Sequence, residues 1–427
     1  MKLSYMEQIN TSYLEKSILQ DVTHIAKCIY NLSLYHQRKF YRESGGRYLD
    51  KGSLYQTIRD GNRKLYNKLN SWVSQAAVYK VDRDYQSFFE HLKVRKPNEV
   101  IKPPYYKDRG LAGLDFAGPA LQVTETTVRL SLSNYLRNKW GLRFLTFELP
   151  EFVRGKKILQ VSVIPKRYGR FDIKYAYDEP ASKKVKSNEA LGLDLGVNNL
   201  AACLSTTGDA FLFSGRWIKS VNQFFNKRAA KLQELVAVEK NPMKKLKLLE
   251  KKFRLTKKRN RIVKDAMHKI SYNVVNFCKE RGLGKIIIGH NIGWKDEVNL
   301  GGKTNQNFVQ IPHSQLIAYI KYKAKRCGIG VEIVEESYTS KCDGLALESL
   351  EHHTKYLGKR VKRGLFQSSI GKLVNSDIQG ALNMLRKSIG DSCVSTIADS
   401  GGVFLPWHFK KDKNLLNPQA SPFRGGN

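Results

Sequence analysis

Acidic residues are scarce in this 427-residue chain: 38 Asp and Glu stand against 74 Lys and Arg, a formal net charge of +36. A compact fold with such a surplus repels itself unless a polyanion neutralises it, so nucleic acid is the expected partner. Paired cysteines are missing too. The six cysteines (28, 203, 278, 327, 342, 393) lie far apart with no Cys-x-x-Cys among them, which argues against a disulfide framework and against a zinc cluster. No apolar run approaches the ~20 residues needed to cross a bilayer, and the opening MKLSYMEQIN lacks the apolar core of a secretory leader. No membrane partner is therefore expected, and a cytoplasmic, nucleoid-associated location is. What the chain does have is 41% hydrophobic composition, enough for two or three domains each with its own core.

Apolar residues recur at helical spacing from about residue 15 to 95, as in SILQDVTHIAKCIYNLSLYHQRKFY. The prolines of RKPNEVIKPPYYKDRG break that pattern. Residues 111–180 then alternate in short runs such as ALQVTETTVRLSLS and KKILQVSVIPKRYGRFDIKYAYDEP, which predicts a small antiparallel sheet or barrel. ASKKVKSNE reads as a linker. From 189 onward the pattern is α/β: three strands at hairpin spacing (ALGLDL, LAACLST, DAFLFSG), then a basic helical hairpin over 216–281 divided at Pro242. A wholly apolar strand, GKIIIGHN, follows, then a helix, PHSQLIAYIKYKAKRCG, a strand, VEIVEE, and a last helix near NSDIQGALNMLRK. Three antiparallel strands followed by parallel ones crossed by helices describe a ribonuclease H-like unit, with its first strand central beside the fourth.

That order gives meaning to a charge in an odd place. Asp194 sits between Leu193 and Leu195 in an otherwise apolar strand, at the edge where such a sheet opens. Glu336 ends VEIVEE, and Asp377 lies in the first turn of the last helix, followed by the small Gly380 and Ala381. Brought together, three carboxylates would repel, and divalent cations relieve this. Hard oxygen ligands favour Mg²⁺ or Mn²⁺, and two such ions ~3.5–4 Å apart activate water and stabilise a phosphodiester's leaving oxygen. Each acid also has a plain structural reading. Asp194 could be a satisfied strand-end aspartate, Asp377 a helix N-terminal acid favoured by the macrodipole, and Glu336 a solvated strand end.

Four blocks, LGLDLGVNNLA, NLGGKTNQNFVQIP, EESYTSKCD and NSDIQGALNMLRK, resemble in order and spacing the RuvC-type nuclease half of TnpB, the OrfB-type protein of insertion sequences related to type V CRISPR effectors. The resemblance is strong over about 186–390. It implies a multidomain α/β protein: a helical recognition bundle (1–100, its first residues joining the β unit), a small β-barrel wedge domain (101–185), and a ribonuclease H-like RuvC nuclease domain (186–340 and 373–390). A tail would span 391–427. The implied activity is RNA-guided, Mg²⁺- or Mn²⁺-dependent DNA cleavage, with a guide RNA from the transposon end and double-stranded target DNA as partners, beside a short recognition motif.

Two departures matter. Where most of the family ends the fourth strand with a glutamate, this chain has Gly289. A subset carries a relocated glutamate three residues before the TS of the next block, and Glu336 holds that place. Neighbouring strands lie ~4.8 Å apart, so a long side chain reaches the same mouth. Because side chains alternate along a strand, Glu335 and Glu336 cannot both point there. Glu336 is preferred as catalytic and metal ligand with Asp194 and Asp377, and Glu335 is held in reserve. The family also has two cysteine pairs forming a zinc ribbon, but only Cys342 stands in the corresponding region, near His352 and His353. No zinc is expected, and 341–372 reads as a basic loop. Lys244, Lys245, Lys251, Lys252, Lys257, Lys258, Arg259 and Arg261 of the hairpin are the candidates for phosphate contact. Two rival functions are guide-directed DNA binding without cutting, which Gly289 invites, and, more distantly, an actin-like ATPase or kinase, suggested by the glycines around Asp194.

Overall fold

The computed structural model describes residues 1–95, 99–108, 110–180, 182–290 and 311–409. The chain divides into two compact units, Met1–Pro180 and Ala181–Asn427.

The first unit opens with β1 (Lys2–Gln8) and four helices, α1 (Tyr13–Glu43), α2 (Lys51–Gly61), α3 (Arg63–Tyr66) and α4 (Ser71–Lys93). α1 begins at a capping box in which Ser12 Oγ accepts from the Glu15 N–H (3.2 Å) and Glu15 Oε2 accepts from the Ser12 N–H (2.8 Å). Its buried stripe, Ile18, Val22, Ile25 and Ile29, follows the helical period. There follow β2 (Leu114–Ala117), β3 (Leu121–Val123), β4 (Thr127–Ser131), α5 (Asn134–Trp140), β5 (Phe144–Glu148), β6 (Lys157–Lys166) and β7 (Arg170–Asp178). These form two antiparallel sheets, ordered β1-β7-β6-β2 and β3-β4-β5, so the first residues of the chain supply an edge strand. Helices and strands share one core running from Ile18 and Val78 to Phe116, Val161 and Tyr175, and no separate core marks the boundary expected near residue 100.

The second unit is built on a six-stranded sheet. Its strands are β8 (Ala190–Asp194), β9 (Asn199–Ser205), β10 (Ala210–Ser214), β11 (Lys285–Gly289), β12 (Gly330–Val334) and β16 (Trp407–Phe409), in the order β12-β11-β8-β9-β10-β16. β8, β9 and β10 pair antiparallel, whereas β11 pairs parallel with both β8 and β12. Between β10 and β11 runs the helical hairpin α6 (Arg216–Val238) and α7 (Pro242–Glu280). Pro242 opens the second arm, where its missing N–H costs nothing, and Asn241 caps it by accepting from the Met243 and Lys244 N–H groups. α8 (His313–Arg326) links β11 to β12, and α9 (Ser376–Ile389) and α10 (Cys393–Asp399) come after.

Both faces of this sheet are covered. Leu191, Leu193, Ile286 and Ile288 pack in one cluster with Met267, Ile270 of α7 and Leu316, Ile320 of α8. Their alternate neighbours Ala190 and Ile287 pack on the other with Ile378, Leu382 and Leu385 of α9. By the two-residue period of a strand, Asp194 therefore belongs to the α9 face.

Two expectations are corrected. Residues 341–372 are not a loop: β13 (Lys359–Lys362) and β14 (Leu365–Gln367) form a hairpin that pairs on with β15 (Leu373–Asn375). These strands are too short to show alternation, and hydrogen bonds to buried carboxylates organise the segment around them. Nor are residues 391–409 a tail, because Ile397 of α10 and Phe409 of β16 are buried in the two clusters. The block NLGGKTNQNFVQIP lies outside the described residues except for its last two.

Candidate active site

Three elements bring the three acids to one end of the sheet. Asp194 is the last residue of β8, paired with Ala202 of β9. The glycines around it have steric reasons. A Cβ at Gly192 would lie 2.5 Å from the Ala381 carbonyl of α9, and one at Gly380 would lie 2.8 Å from Asp194 Oδ2. Bare backbone at these two positions lets α9 press onto the strand and brings its first turn over the Asp194 carboxylate. Asp377 sits in that turn. Its N–H donates to the capping Asn375 side chain (2.9 Å), and its Oδ2 accepts from Asn199 Nδ2 at 2.7 Å.

Glu336 arrives from the neighbouring strand. Val334 pairs with Gly289, and two residues further on Glu336 keeps the same parity, facing α9. Glu332, of that parity, bonds Ser388 of α9 (2.8 Å), and Val334 packs against the α9-side cluster. A Cβ on Gly289 would lie 2.4 Å from Met384 Cε and 3.0 Å from Glu336 Cγ. The space beside Gly289 is filled by Met384 of α9, with Glu336 packed alongside. Glu335 has the opposite parity: it is exposed and its carboxylate accepts from the Ser337 hydroxyl.

Electrostatics tie the group together. Burial, then the Asp377 carboxylate, then that of Glu336 push the Asp194 carboxyl well above the usual aspartate range, against weaker opposition from the Leu195 N–H and Arg360. Burial pushes Glu336 up to about 7. All three are oxygen donors, the ligand type that hard divalent cations prefer. Among the described residues, no three His, Cys, Asp or Glu side chains form a group close enough to hold a metal ion as they stand.

Comparisons with known proteins place the chain. A family described as a probable transposase, OrfB of the IS605 type, matches residues 172–295, and the TNB domain of Cas12f1-like proteins matches residues 313–384. The TnpB-like protein ORF457 of Acidianus two-tailed virus is 26% identical over 372 residues, covering 78% of this chain and 77% of that protein. Together these matches support a TnpB-type protein. The fold of the chain is also similar to that of the protein in a cryo-EM structure of a Cas12f1–sgRNA–target DNA complex, with a TM-score of 0.62 and 16% identity, over 88% of this chain and 83% of that one. Its mixed α/β multidomain architecture is the Cas12-like one.

The basic hairpin of the TnpB-type chain is sorted by the structure. Lys244, Lys245, Lys251, Lys258 and Arg261 are exposed on α7, while Lys252 and Lys257 are half-buried. Arg259 is committed elsewhere: it donates to Asn222 Oδ1 (2.8 Å) and Asn260 Oδ1 (2.9 Å) and stands 5.7 Å from the Phe225 ring centroid. Arg259 thus also joins α7 to α6. Two residues of the site were missed from sequence. Asn199, in the VNN of the first block, had a signal, since an amide at a strand start beside the key acid wants a partner. Arg360 had none, because only folding brings its charge near Asp194. Among the described residues no helix is long and apolar enough to cross a membrane.

Proposed function

We propose that this chain is an RNA-guided DNA endonuclease of an insertion sequence, hydrolysing phosphodiesters at Asp194, Glu336 and Asp377 next to a short recognition motif. The observation that carries the proposal is the convergence of carboxylates from β8, the end of β12 and α9 around Asp194, whose pKa both others raise. The strand order, with β8 central beside β11, supports a ribonuclease H-like, RuvC-type reading of the second unit, and the β-rich part of the first supports the wedge role. Mg²⁺ or Mn²⁺, bound as a pair, would supply activation of the attacking water and stabilisation of the leaving oxygen. Asp194 and Glu336 would hold the ions from the sheet and Asp377 from the helix, with Asn199 fixing the Asp377 carboxylate. The exposed lysines of α7 would follow a guide–target duplex by its backbone, leaving sequence to base pairing. The guide RNA and double-stranded DNA as partners come from the TnpB type and the +36 charge.

A second reading, guided DNA binding without cutting, draws support from one fact: no three acids of the described residues are close enough to hold an ion as they stand. One experiment separates the two. Protein purified with its own RNA, given Mg²⁺ and a matched double-stranded target, is expected to cut. Binding of that target with no product over hours selects the second reading.

A further inference from the structure

The family resemblance implies a zinc ribbon between residues 341 and 372, and the residues present do not fit one. Cys342 is the sole cysteine there, and its buried Sγ faces the Glu351 carbonyl at 3.7 Å. His353 Nε2 is engaged by the Ser349 carbonyl at 2.8 Å, and the His352 ring lies edge-on to Tyr338. At the centre of the segment stand two buried carboxylates, Asp343 (0% exposed) and Glu348 (6%). Asp343 Oδ2 accepts from Ser368 Oγ (2.8 Å), the Ser369 N–H (2.7 Å) and Ser369 Oγ (3.1 Å), and its Oδ1 accepts from the Ala346 N–H (3.3 Å). Glu348 accepts from the Asp343 N–H (2.6 Å) and the Leu357 N–H (2.7 Å). Among the described residues no lysine or arginine forms an ion pair with either. Every partner at these contacts is a donor, so both side chains serve as acceptors.

The two side chains tie together strands of chain around 343, 346, 357 and 368, the cross-linking that a ribbon otherwise draws from a metal. The surroundings are built to this centre. A Cβ at Gly358 would lie 2.4 Å from Phe366 Cζ and 3.1 Å from Asp343 Oδ2, and one at Gly344 would lie 2.6 Å from Asn383 Oδ1. The segment is pinned to α9, whose Gln379 and Asn383 amides donate to the Cys342 carbonyl (2.8 Å each), with Asn383 also reaching the Thr339 carbonyl (2.8 Å). The turn of the β13–β14 hairpin is held by the Ser376 N–H on the Gly364 carbonyl (3.1 Å), one residue before Asp377. That hairpin presents Lys359, Arg360, Lys362 and Arg363, all exposed.

We propose that Asp343, supported by Glu348, replaces the metal of a zinc ribbon as the centre of this segment, and that it is a positioning residue for cleavage, holding the basic β13–β14 hairpin beside Asp377 so that Arg360 steadies a phosphate of the strand being cut. Phosphate contacts of this kind fix register and orientation rather than sequence. The positioning role rests on the nuclease reading; the metal-free centre does not.

The test uses the full-length protein with its bound RNA. Elemental mass spectrometry is expected to find less than about one zinc per ten chains. Hydrogen exchange over 341–375 is expected to rise about tenfold or more in Asp343→Ala, to rise less in Ser368→Ala/Ser369→Ala, and to stay unchanged in Cys342→Ser, with 13–93 unaffected in all three. Single-turnover cleavage by Asp343→Ala is expected to fall at least about tenfold with target affinity kept. Arg360→Ala is expected to reproduce that loss without any change in exchange, which a merely structural role for Asp343 would not require. One zinc per chain, lost together with exchange protection in Cys342→Ser, overturns the proposal. So does unchanged exchange in Asp343→Ala. Full cleavage by Arg360→Ala overturns the positioning role, and a wild-type protein that cuts no matched target removes it together with the nuclease reading, while the exchange and zinc results still decide the metal-free centre.

Discussion

Asp343 and Glu348 on one side, and Asp194, Glu336 and Asp377 on the other, are two sets of acids in the second unit, yet their surroundings differ in kind. The first two meet N–H and O–H donors at every described contact. Asp194 instead meets carboxylates: it is pushed up by burial and by Asp377 and Glu336, against weaker opposition from the Leu195 N–H and Arg360, while Asp377 keeps one amide donor, Asn199. A carboxylate surrounded by donors is a structural fastener, whereas a carboxylate surrounded by carboxylates is under strain until a cation arrives. The contrast separates acids satisfied by hydrogen-bond donors from the acids that the proposed function assigns to chemistry.

The contrast breaks most visibly at Asp194. Asp194→Ala is expected to lower cleavage of a matched target by about a thousandfold or more, measured as single-turnover product, with guided target binding unchanged. The next test compares the adjacent glutamates. Glu336→Gln is expected to cut at least about a hundredfold more slowly, and Glu335→Gln within about threefold of wild type, since only the former faces α9. Equal effects at the two positions would remove the parity argument.

Stability without metal should move the opposite way from activity. Glu336, with an ordinary value of 4.5, titrates near 7 in the folded chain, so between those values the folded state holds more protons than the unfolded one. Its contribution to stability therefore falls as pH rises from about 4.5 to 7, by about 1–3 kcal/mol. Denaturant titrations in chelator should show wild type losing that much more than Glu336→Gln across this window, and added Mg²⁺ at pH 7.5 should restore it in wild type alone. The smallest effect concerns charge without strain: Lys244→Ala or Lys245→Ala, both on the exposed start of α7, should each reduce the salt slope of nucleic-acid binding by about one and leave the cleavage rate of bound target unchanged.

Much of the second unit was legible because its signals are periodic. Alternation and an all-apolar run marked β8 to β12, the three-to-four spacing marked α6 to α9, and the gap at Pro242 marked the hairpin. β16 and the β13–β15 sheet escaped notice because three- or four-residue strands carry no measurable period, and the fold of 341–372 depends on donors at 346, 368 and 369 converging on Asp343, and one at 357 reaching Glu348, from separate places in the chain. The helix-joining bond of Arg259 was hidden for a related reason: a guanidinium in a run of lysines looks like its neighbours until Asn222 of another helix is placed beside it.

Residue identity alone determined the basic surplus, the order of strands and helices, and the choice of oxygen rather than sulfur at the acidic positions, because these are properties of composition and local period. Only the tertiary structure decided that a side chain at Gly289 would meet Met384 and Glu336, that Glu335 faces away, and that Asp343 is surrounded by donors while Asp194 lies beside other carboxylates. Whether a carboxylate fastens or repels depends on what lies within a few ångströms of its oxygens, and those neighbours come from segments far apart in the chain.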